Sequence, residues 1–367
     1  MFTRGIGNTM ITVDILSPVG GSKGGIENVI RLWKGNLDKD VFRLRVIHMA
    51  PGMAYLKGFD DIYAFEECQY IDINEKLTHF TRNYAGFIKS YGSPDICIAI
   101  NWPCMCLVAD AARKVMECDY KILSWVHSRI EEYEKAGLGG VNELVAADAH
   151  LCINSNNERQ IKNHNALAVT YVIGNPVKEY SLVSNISDNT MCYVGRLQDV
   201  KCVQVILEAL YRAHHKWKFK IVGSGEAEEK LKDMAEFLGQ IQSGQIEFLG
   251  WKEEPWNYCS DSVALIAASE YEGFMLTGAE ALSMGMTVIS TPVDGLLDYI
   301  VPGRNGYLFE QYNAEELAKI LDYIYDGTLS LCDRNICRQS VEKYSINNYF
   351  INVKKILLYC IDDELEY

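Results

Sequence analysis

The sequence SEYEGFMLTGAEAL, from Ser269 to Leu282, gives the clearest indication of the fold. The apolar run Val263–Ala268 directly before it predicts a buried strand, and a helix is predicted to begin near Leu276. A strand that leads through a short loop into a helix is the building unit of a parallel α/β sheet. The same alternation extends from this stretch towards both ends of the chain.

Short β-branched runs alternate with amphipathic stretches in two successive series. The strands predicted in the first series are Met10–Leu16, Leu44–Met49, Asp95–Ile100, Lys121–Val126, His150–Ile153 and Tyr171–Ile173, and the helices are Gly25–Gly35, Glu75–Lys89, Cys104–Val115 and Ser155–His164. The strands predicted in the second are Thr190–Val194, Lys218–Val222, Ile246–Leu249, Val263–Ile266, Thr287–Ser290 and Tyr307–Phe309, and the helices are Cys202–His214, Glu226–Leu238, Leu276–Met284, Ala314–Tyr325 and Ile346–Ile361. The pattern predicts two α/β domains.

The predicted joint between the domains is Gly174–Val177, because Pro176 ends a strand and the polar stretch after it has no apolar period. We expect a first Rossmann-like domain over residues 1–175 and a second over residues 176–345. Residues 346–367 are expected to form a helix that packs back towards the first domain. A length of 367 residues agrees with two domains.

Composition and charge exclude several classes. The chain is 49% hydrophobic and 23% charged, which is typical of a globular protein. Its apolar runs are far shorter than the ~20 residues of a membrane-spanning helix, and no signal peptide is recognisable, so we predict a cytoplasmic protein. The net charge of −14 argues against nucleic-acid binding.

The charge is unevenly distributed. Residues 1–175 contain 18 basic and 20 acidic side chains, whereas the rest of the chain contains 17 and 29. The first half is therefore the part that can approach an anionic surface, and we expect any peripheral contact with the inner membrane surface to involve it. The twelve cysteines form no CxxC pair and no cluster with histidine, which predicts reduced thiols and no metal site.

The two carboxylates of the opening stretch suit a sugar ligand. Glu272 lies on the predicted loop and Glu280 about one turn inside the helix, with helix amides between them that can bind phosphate. A carboxylate accepts several hydrogen bonds and so matches vicinal sugar hydroxyls. An acidic residue that merely complements the helix dipole would explain Glu280, but not the preceding Glu272-Gly273-Phe274.

Two other loops favour an anionic ligand. Gly24 and Gly25 follow the first strand, where small residues let the backbone approach phosphate, although the loop lacks the GxGxxG pattern and is also compatible with a simple flexible turn. Arg196 and Lys201 follow the strand Thr190–Val194, at the edge where α/β sheets bind ligands. The alternative for this pair is ordinary surface charge.

His127 is predicted to follow a strand of the first domain at the same kind of edge. There it can hydrogen bond to a sugar or act near the reacting centre. The alternative is a histidine with a purely structural role.

Together these residues resemble the retaining glycosyltransferases of sequence family four. These enzymes have the GT-B architecture, in which two Rossmann-like domains face each other across a cleft. The resemblance covers nearly the whole chain, and within the family it is greatest to the lipopolysaccharide 1,6-galactosyltransferases. The segments that carry it are Gly24–Arg31, Ser124–His127, Asn175–Val177, Gly195–Leu197 with Lys201, Val222–Gly225, Phe248–Trp251, Pro255-Trp256, and Glu272 with Glu280.

The resemblance also implies roles for single residues. Arg196 and Lys201 would hold the nucleotide diphosphate, Glu280 the ribose hydroxyls and Glu272 the hydroxyls of the donor sugar. The other implied contacts are Gly24 and Gly25 to the diphosphate, the backbone of Gly273, Phe274, Met275 and Leu276 to phosphate and sugar, and His127 to the transferred sugar or leaving group. One departure from the family pattern is Cys202, where glycine is common after the lysine.

The implied activity is transfer of a hexose, glucose or galactose, from a UDP-sugar to a saccharide or glycolipid acceptor, with retained stereochemistry, no metal and no cofactor. Lipopolysaccharide or another cell-surface glycan would be the product. Two alternatives remain at this point: a catalytically silent GT-B subunit that stabilises a partner transferase, and a sugar-nucleotide epimerase.

Overall fold

The structure is a computed structural model that describes residues 10–18, 25–52, 54–66, 69–70, 72–180 and 189–362. Gly24, one of the predicted phosphate contacts, lies outside these residues. The chain forms two compact units. One comprises Met1–Pro176 and Ile346–Tyr367, and the other comprises Val177–Ser345.

A parallel sheet of seven described strands forms the centre of the first unit. The strands are β1 (Ile11–Ser17), β2 (Phe42–His48), β3 (Ile62–Ala64), β4 (Ile96–Ile100), β5 (Lys121–Trp125), β6 (Ala149–Cys152) and β7 (Thr170–Val172). Their order is β3-β2-β1-β4-β5-β6-β7. Every residue of β4 is buried, as expected for a central strand covered by helices on both faces.

Six helices alternate with these strands among the described residues of the first part of the chain. They are α1 (Gly25–Asn36), α2 (Ile73–Tyr91), α3 (Met105–Val115), α4 (Ile130–Lys135), α5 (Val141–Leu144) and α6 (Ser155–His164). The side chains of Asp72 and Asn154 accept backbone N–H bonds at the starts of α2 and α6 and thereby fix where these helices begin.

The second unit is built around a parallel sheet of six described strands. They are β8 (Thr190–Val194), β9 (Lys218–Val222), β10 (Ile246–Gly250), β11 (Ala264–Ala267), β12 (Thr287–Ser290) and β13 (Gly306–Leu308), in the order β10-β9-β8-β11-β12-β13. Its helices are α7 (Val203–Arg212), α8 (Glu228–Phe237), α9 (Leu276–Ser283), α10 (Ala314–Tyr325) and α11 (Arg334–Ser340).

The helix α12 (Ile346–Ile361) belongs to the first unit although it follows the second in sequence. Its buried face joins the core cluster that contains Trp33 and Trp125. The Trp33 indole donates to the Tyr349 hydroxyl at 3.2 Å, and Lys354 pairs with Asp38 at 2.7 Å. Aromatic packing and one ion pair thus fix this helix against α1 and the loop that follows it.

A buried ion pair ties β1 to β2 in the first unit. The Arg45 guanidinium donates to both oxygens of Asp14, at 2.5 and 2.9 Å, and to the carbonyls of Tyr91 and Gly92 at the end of α2. The Tyr84 hydroxyl donates to the same Asp14 carboxylate at 2.8 Å. Asp14 is 0% and Arg45 1% exposed, so this network joins two strands and a helix away from water.

The prediction of two parallel α/β domains is confirmed. The limits of α6, α10 and α12 agree with the predicted ones. The apolar residues of α10 and α12 recur with a helical period, whereas α6 is mostly polar and starts after the cap residue Asn154. The strand β3 and the helices α4, α5 and α11 were not predicted. They have three to seven residues, and α11 buries only Cys337, so that no periodic signal marks them.

Candidate functional site

Two of the predicted loops meet at the reversal point of the second sheet. The strand order runs from β8 outward to β10 on one side and from β11 outward to β13 on the other. The crevice between the carboxyl ends of two such central strands is where open α/β sheets bind ligands. The loop after β8 carries Arg196 and Lys201, and the loop after β11 carries Glu272.

Lys201 and Glu272 form an ion pair across this crevice although 71 residues separate them in the chain. Lys201 Nζ lies 2.6 Å from Glu272 Oε1, and the Ser269 hydroxyl donates to the same oxygen at 2.8 Å. The two charged side chains are 21% and 18% exposed. An ammonium has three donors and a carboxylate about four acceptor positions, so both groups retain capacity for a ligand.

Two glycines let the loops after β8 and β9 pack backbone against backbone. Leu197 N donates to Ser224 O at 3.0 Å. A Cβ at Gly223, whose φ is +149°, would lie 1.8 Å from the Gly195 carbonyl oxygen, and one at Gly225 would lie 2.2 Å from that of Leu197. Only glycine fits at these two positions, and this close packing fixes the backbone on either side of Arg196.

Arg196 itself is exposed, and its guanidinium makes no hydrogen bond or ion pair with any residue that the structure describes. Its backbone is fixed, because the Tyr193 hydroxyl donates to the Arg196 carbonyl at 2.7 Å. A cation whose backbone is held and whose side chain is open to solvent can bind an anion without breaking another contact.

Cys202 adopts the left-handed conformation, with φ 48° and ψ 38°. This conformation favours glycine, which explains the glycine that is common after the lysine in the family that the chain resembles. The Cys202 thiol donates to the Asp199 carbonyl at 3.3 Å and to Glu270 Oε1 at 3.6 Å, and Glu270 N donates to Val200 O. The turn therefore keeps its glycine-like geometry without glycine, and it connects the two loops beside Lys201.

The start of α9 lies in the same loop region. Met275, directly before the helix, has φ 55°, and the Tyr299 hydroxyl donates to the carbonyls of Met275 at 2.8 Å and Phe274 at 3.3 Å. A Cβ at Gly295 would lie 2.4 Å from the Gly273 carbonyl oxygen. The segment from Gly273 to Leu276 is thus held from two sides, and the first amides of α9 lack partners within the helix.

Glu280 lies in the second turn of α9 and is buried, with 8% of its surface exposed. Its Oε2 accepts the indole N–H of Trp256 at 2.9 Å. Burial raises the pKa of Glu280 to about 7, although the bond from Trp256 favours the ionised form. Glu272 and Glu280 have separate partners, Lys201 and Ser269 for the first and Trp256 for the second.

The predicted residues of the first unit occupy two places. Gly25 is the exposed first residue of α1, and a Cβ there would contact nothing within 4 Å, so packing within the protein does not require glycine. His127 follows β5 and is 7% exposed, with its ring centroid 4.4 Å from that of Trp125. Burial lowers the pKa of the His127 imidazole to about 3, and its buried Nε2 has no hydrogen-bond partner among the described residues.

The structure adds two side chains to the site that the sequence did not indicate. Ser269 supports Glu272, and Trp256 supports Glu280. In the sequence, Trp256 was only one of the residues that carry the family resemblance. No known sequence spacing predicts its contact with Glu280. The hydroxyl of Ser269, three residues before Glu272, could have been found from its place at the end of a buried strand.

Within the described residues, no helix is long and apolar enough to cross a membrane. The same residues contain no group of three His, Cys, Asp or Glu side chains that could hold a metal ion. The one Asp-x-Asp triplet of the sequence, Asp38-Lys39-Asp40, precedes β2 at the amino end of the sheet, where Asp38 pairs with Lys354.

Comparisons with known proteins agree with this geometry. Residues 178–342 match the family described as Glycosyl transferases group 1. The chain is 28% identical over 358 residues to a lipopolysaccharide 1,6-galactosyltransferase of Salmonella typhimurium, and the match covers 92% of this chain and 95% of that relative.

Two solved structures share the fold. The apo form of the lipopolysaccharide outer core galactosyltransferase WaaB has a TM-score of 0.82 and 25% identity, covering 95% of this chain and 99% of that one. The Anabaena protein HepE in complex with UDP has a TM-score of 0.75 and 16% identity, covering 95% and 100%. Since the family match falls on the unit that carries both loops, and the structural match extends over both units, we conclude that this chain is a glycosyltransferase with the GT-B fold, and its residues 178–342 are similar to the group 1 glycosyl transferases.

Proposed function

We propose that this glycosyltransferase transfers a hexose, glucose or galactose, from a UDP-sugar to a saccharide or glycolipid acceptor with retention of configuration. The observation that carries the proposal is the Lys201–Glu272 pair at the carboxyl ends of β8 and β11. An ammonium suits phosphate and a carboxylate suits sugar hydroxyls, which are the two kinds of group that a nucleotide-sugar presents, so this pair supports the proposal.

The similarities support the choice of donor and product class. The Salmonella relative is named a lipopolysaccharide 1,6-galactosyltransferase, and the Anabaena structure contains UDP. We therefore propose lipopolysaccharide or another cell-surface glycan as the product. His127, whose imidazole is neutral, belongs to the first unit, as do Gly24 and Gly25. We propose that His127 contacts the transferred sugar or the leaving group and that the two glycines contact the diphosphate.

Each side chain of the second unit has a proposed task. Arg196 and Lys201 bind the diphosphate, Glu272 binds hydroxyls of the donor sugar, and Glu280 binds the ribose diol. The backbone from Gly273 to Leu276 and the first amides of α9 contact phosphate and sugar. Ser269 keeps Glu272 in place through its hydroxyl.

In the proposed reaction the bond between the anomeric carbon and the diphosphate oxygen breaks as the acceptor oxygen bonds to the same face of that carbon. The acceptor proton passes to an oxygen of the departing diphosphate. Arg196, Lys201 and the helix amides stabilise the negative charge that develops on this leaving group. A double displacement on Glu272 or Glu280 fits poorly, because both carboxylates are assigned to hold hydroxyls of the donor.

A screen for UDP and GDP release from a panel of sugar nucleotides tests the proposal. We expect release of UDP from UDP-glucose or UDP-galactose, increased by a matching saccharide acceptor, and a product whose anomeric NMR signal shows retention. An epimerase would change the sugar without releasing UDP, and a silent subunit would release nothing. Either result, or inversion, contradicts the proposal.

Metal independence is a separate part of the proposal, since the groups assigned to the diphosphate are side chains and amides. We expect turnover to be unchanged in excess EDTA. Loss of activity with EDTA and its recovery with magnesium or manganese would overturn this part alone.

A further inference from the structure

The carboxylate of Glu280 is held by an aromatic side chain that lies outside its own helix. Trp256 lies in the turn Pro255–Tyr258 and donates its indole N–H to Glu280 Oε2 at 2.9 Å. Trp256 is 3% exposed. The Tyr180 ring packs beside it, with 6.2 Å between the two ring centroids.

An indole N–H can only donate a hydrogen bond. Its bond to Glu280 is therefore strongest when the carboxylate is ionised, and it is weakened when a proton occupies Oε2. Burial acts in the opposite direction, because it disfavours the charged form and raises the pKa of Glu280 to about 7. Trp256 is the largest of the influences that favour the ionised carboxylate.

The charged groups around Glu280 contribute less. Lys178 favours and Glu254 disfavours the ionised form, and these two side chains form an ion pair with each other at 2.9 Å, about half exposed. The neighbouring strands β11 and β12 carry no titratable side chain, and α11, which also packs against α9, brings Arg334, Cys337 and Arg338. The two charges of this pair are about half exposed and bonded to each other, whereas the Trp256 indole is buried and hydrogen bonds directly to the Glu280 carboxylate.

We infer that Trp256 is a positioning residue for the sugar-nucleotide donor, which fixes one oxygen of Glu280 so that the remaining acceptor positions can receive the ribose diol. The inference rests on the proposed role of Glu280. A ribose diol offers two O–H donors and needs acceptors, and a protonated carboxyl group has fewer of them. Nucleotide affinity should therefore fall as the pH decreases through the range in which Glu280 is protonated.

Calorimetric titration of the full chain with UDP between pH 5.5 and 8.5 tests this inference. Trp256→Phe removes the N–H and keeps an aromatic ring. We expect about tenfold weaker UDP binding at pH 7 and an upward shift of the pH midpoint by about half a unit to one unit. The phosphate of UDP also titrates in this range. The profile of Glu280→Gln, in which position 280 cannot ionise, supplies the contribution of UDP alone.

Trp217→Phe is the matched control. Trp217 belongs to the same unit, is 2% exposed, and donates its indole N–H to the Leu321 carbonyl at 3.3 Å. The control should lose stability through the same kind of deletion and keep the wild-type affinity and pH midpoint. A midpoint that moves equally in both variants would show a general effect of lost packing and would overturn the inference.

The failure of this inference can be separated from failure of the proposed function. If Glu280→Gln weakens UDP binding and Trp256→Phe keeps the wild-type midpoint, Trp256 has no positioning role but Glu280 still binds ribose. If Glu280→Gln binds UDP normally, the ribose assignment itself is wrong. Should Trp256→Phe fail to fold, the wild-type profile remains a test, because UDP affinity with the same pH dependence in the wild type and in Glu280→Gln overturns the inference.

Discussion

Each unit contains an ion pair between a basic side chain and a carboxylate, and the two pairs differ in how many donors and acceptors remain for a ligand. In the first unit, Arg45 and Asp14 are at most 1% exposed, and their polar atoms are engaged by each other, by Tyr84 and by backbone carbonyls. In the second unit, Lys201 and Glu272 are about one-fifth exposed and lie at the carboxyl edge of the sheet.

The hydrogen-bonding capacity that remains distinguishes a structural ion pair from a ligand-binding one more clearly than charge or burial alone. A buried pair with all its hydrogen bonds made has nothing left for a ligand, and removing one partner leaves the other charge uncompensated. A pair that is about one-fifth exposed at the edge of a sheet contributes less to stability, since water competes for both groups. Its spare donors and acceptors instead make it available to a substrate. Four predictions test this contrast.

The largest expected effect is on stability, in Arg45→Met. The substitution leaves the Asp14 carboxylate buried without its cation, which should cost about 3–5 kcal/mol of the free energy of unfolding. Arg43→Met is the control on the same strand, because Arg43 pairs with Asp61 at the surface and should cost at most about 1 kcal/mol. Urea unfolding measures both, and equal losses would contradict the contrast.

The second prediction concerns ligand affinity. Lys201→Ala should weaken UDP binding by about 1.5–3 kcal/mol, because one charge-assisted contact to the diphosphate is lost, while the melting temperature changes little. The control is Lys220→Ala, whose ammonium pairs with Asp261 at 2.7 Å and is similarly buried. Calorimetry should show normal UDP affinity for the control. Unchanged affinity for Lys201→Ala would remove the proposed diphosphate site.

His127 extends the contrast to a buried side chain whose Nε2 has no hydrogen-bond partner among the described residues. His127→Ala should reduce turnover by at least about tenfold, roughly 1.4 kcal/mol, and leave UDP affinity unchanged, because UDP lacks the sugar that we propose it contacts. His150→Ala is the control, since His150 is also buried and uncharged but is bonded through Nδ1 to Ser124. That variant should melt earlier and turn over normally. Normal turnover per folded molecule in His127→Ala would assign His127 a structural role.

The smallest effect concerns the turn that carries Lys201. A side chain in the left-handed conformation costs about 1 kcal/mol relative to glycine. Cys202→Gly should therefore be more stable than Cys202→Ala by about that amount, although it removes more atoms from a buried position. Thermal unfolding of the two variants measures the difference. The opposite order would mean that the left-handed turn is not strained.

Part of the site could be predicted because its signals are local. The strand before Glu272, the start of α9 at Leu276 and the loop with Arg196 and Lys201 each depend on residues within one βα unit, where apolar period, glycine and charge can be read in order. The strand β3 shows the limit of this approach. Three residues at the edge of a sheet leave too short a pattern to recognise.

The two α/β domains, the limits of the long helices and the loops that carry charge could all be predicted from residue patterns. Which of those charges meet depends on the fold. Lys201 reaches Glu272, Trp256 reaches Glu280 and Arg45 reaches Asp14 because strand order and helix packing bring them together. Periodicity records the environment of a residue along its own helix or strand, whereas these contacts depend on which strands become neighbours, and that is set by the packing of the whole unit.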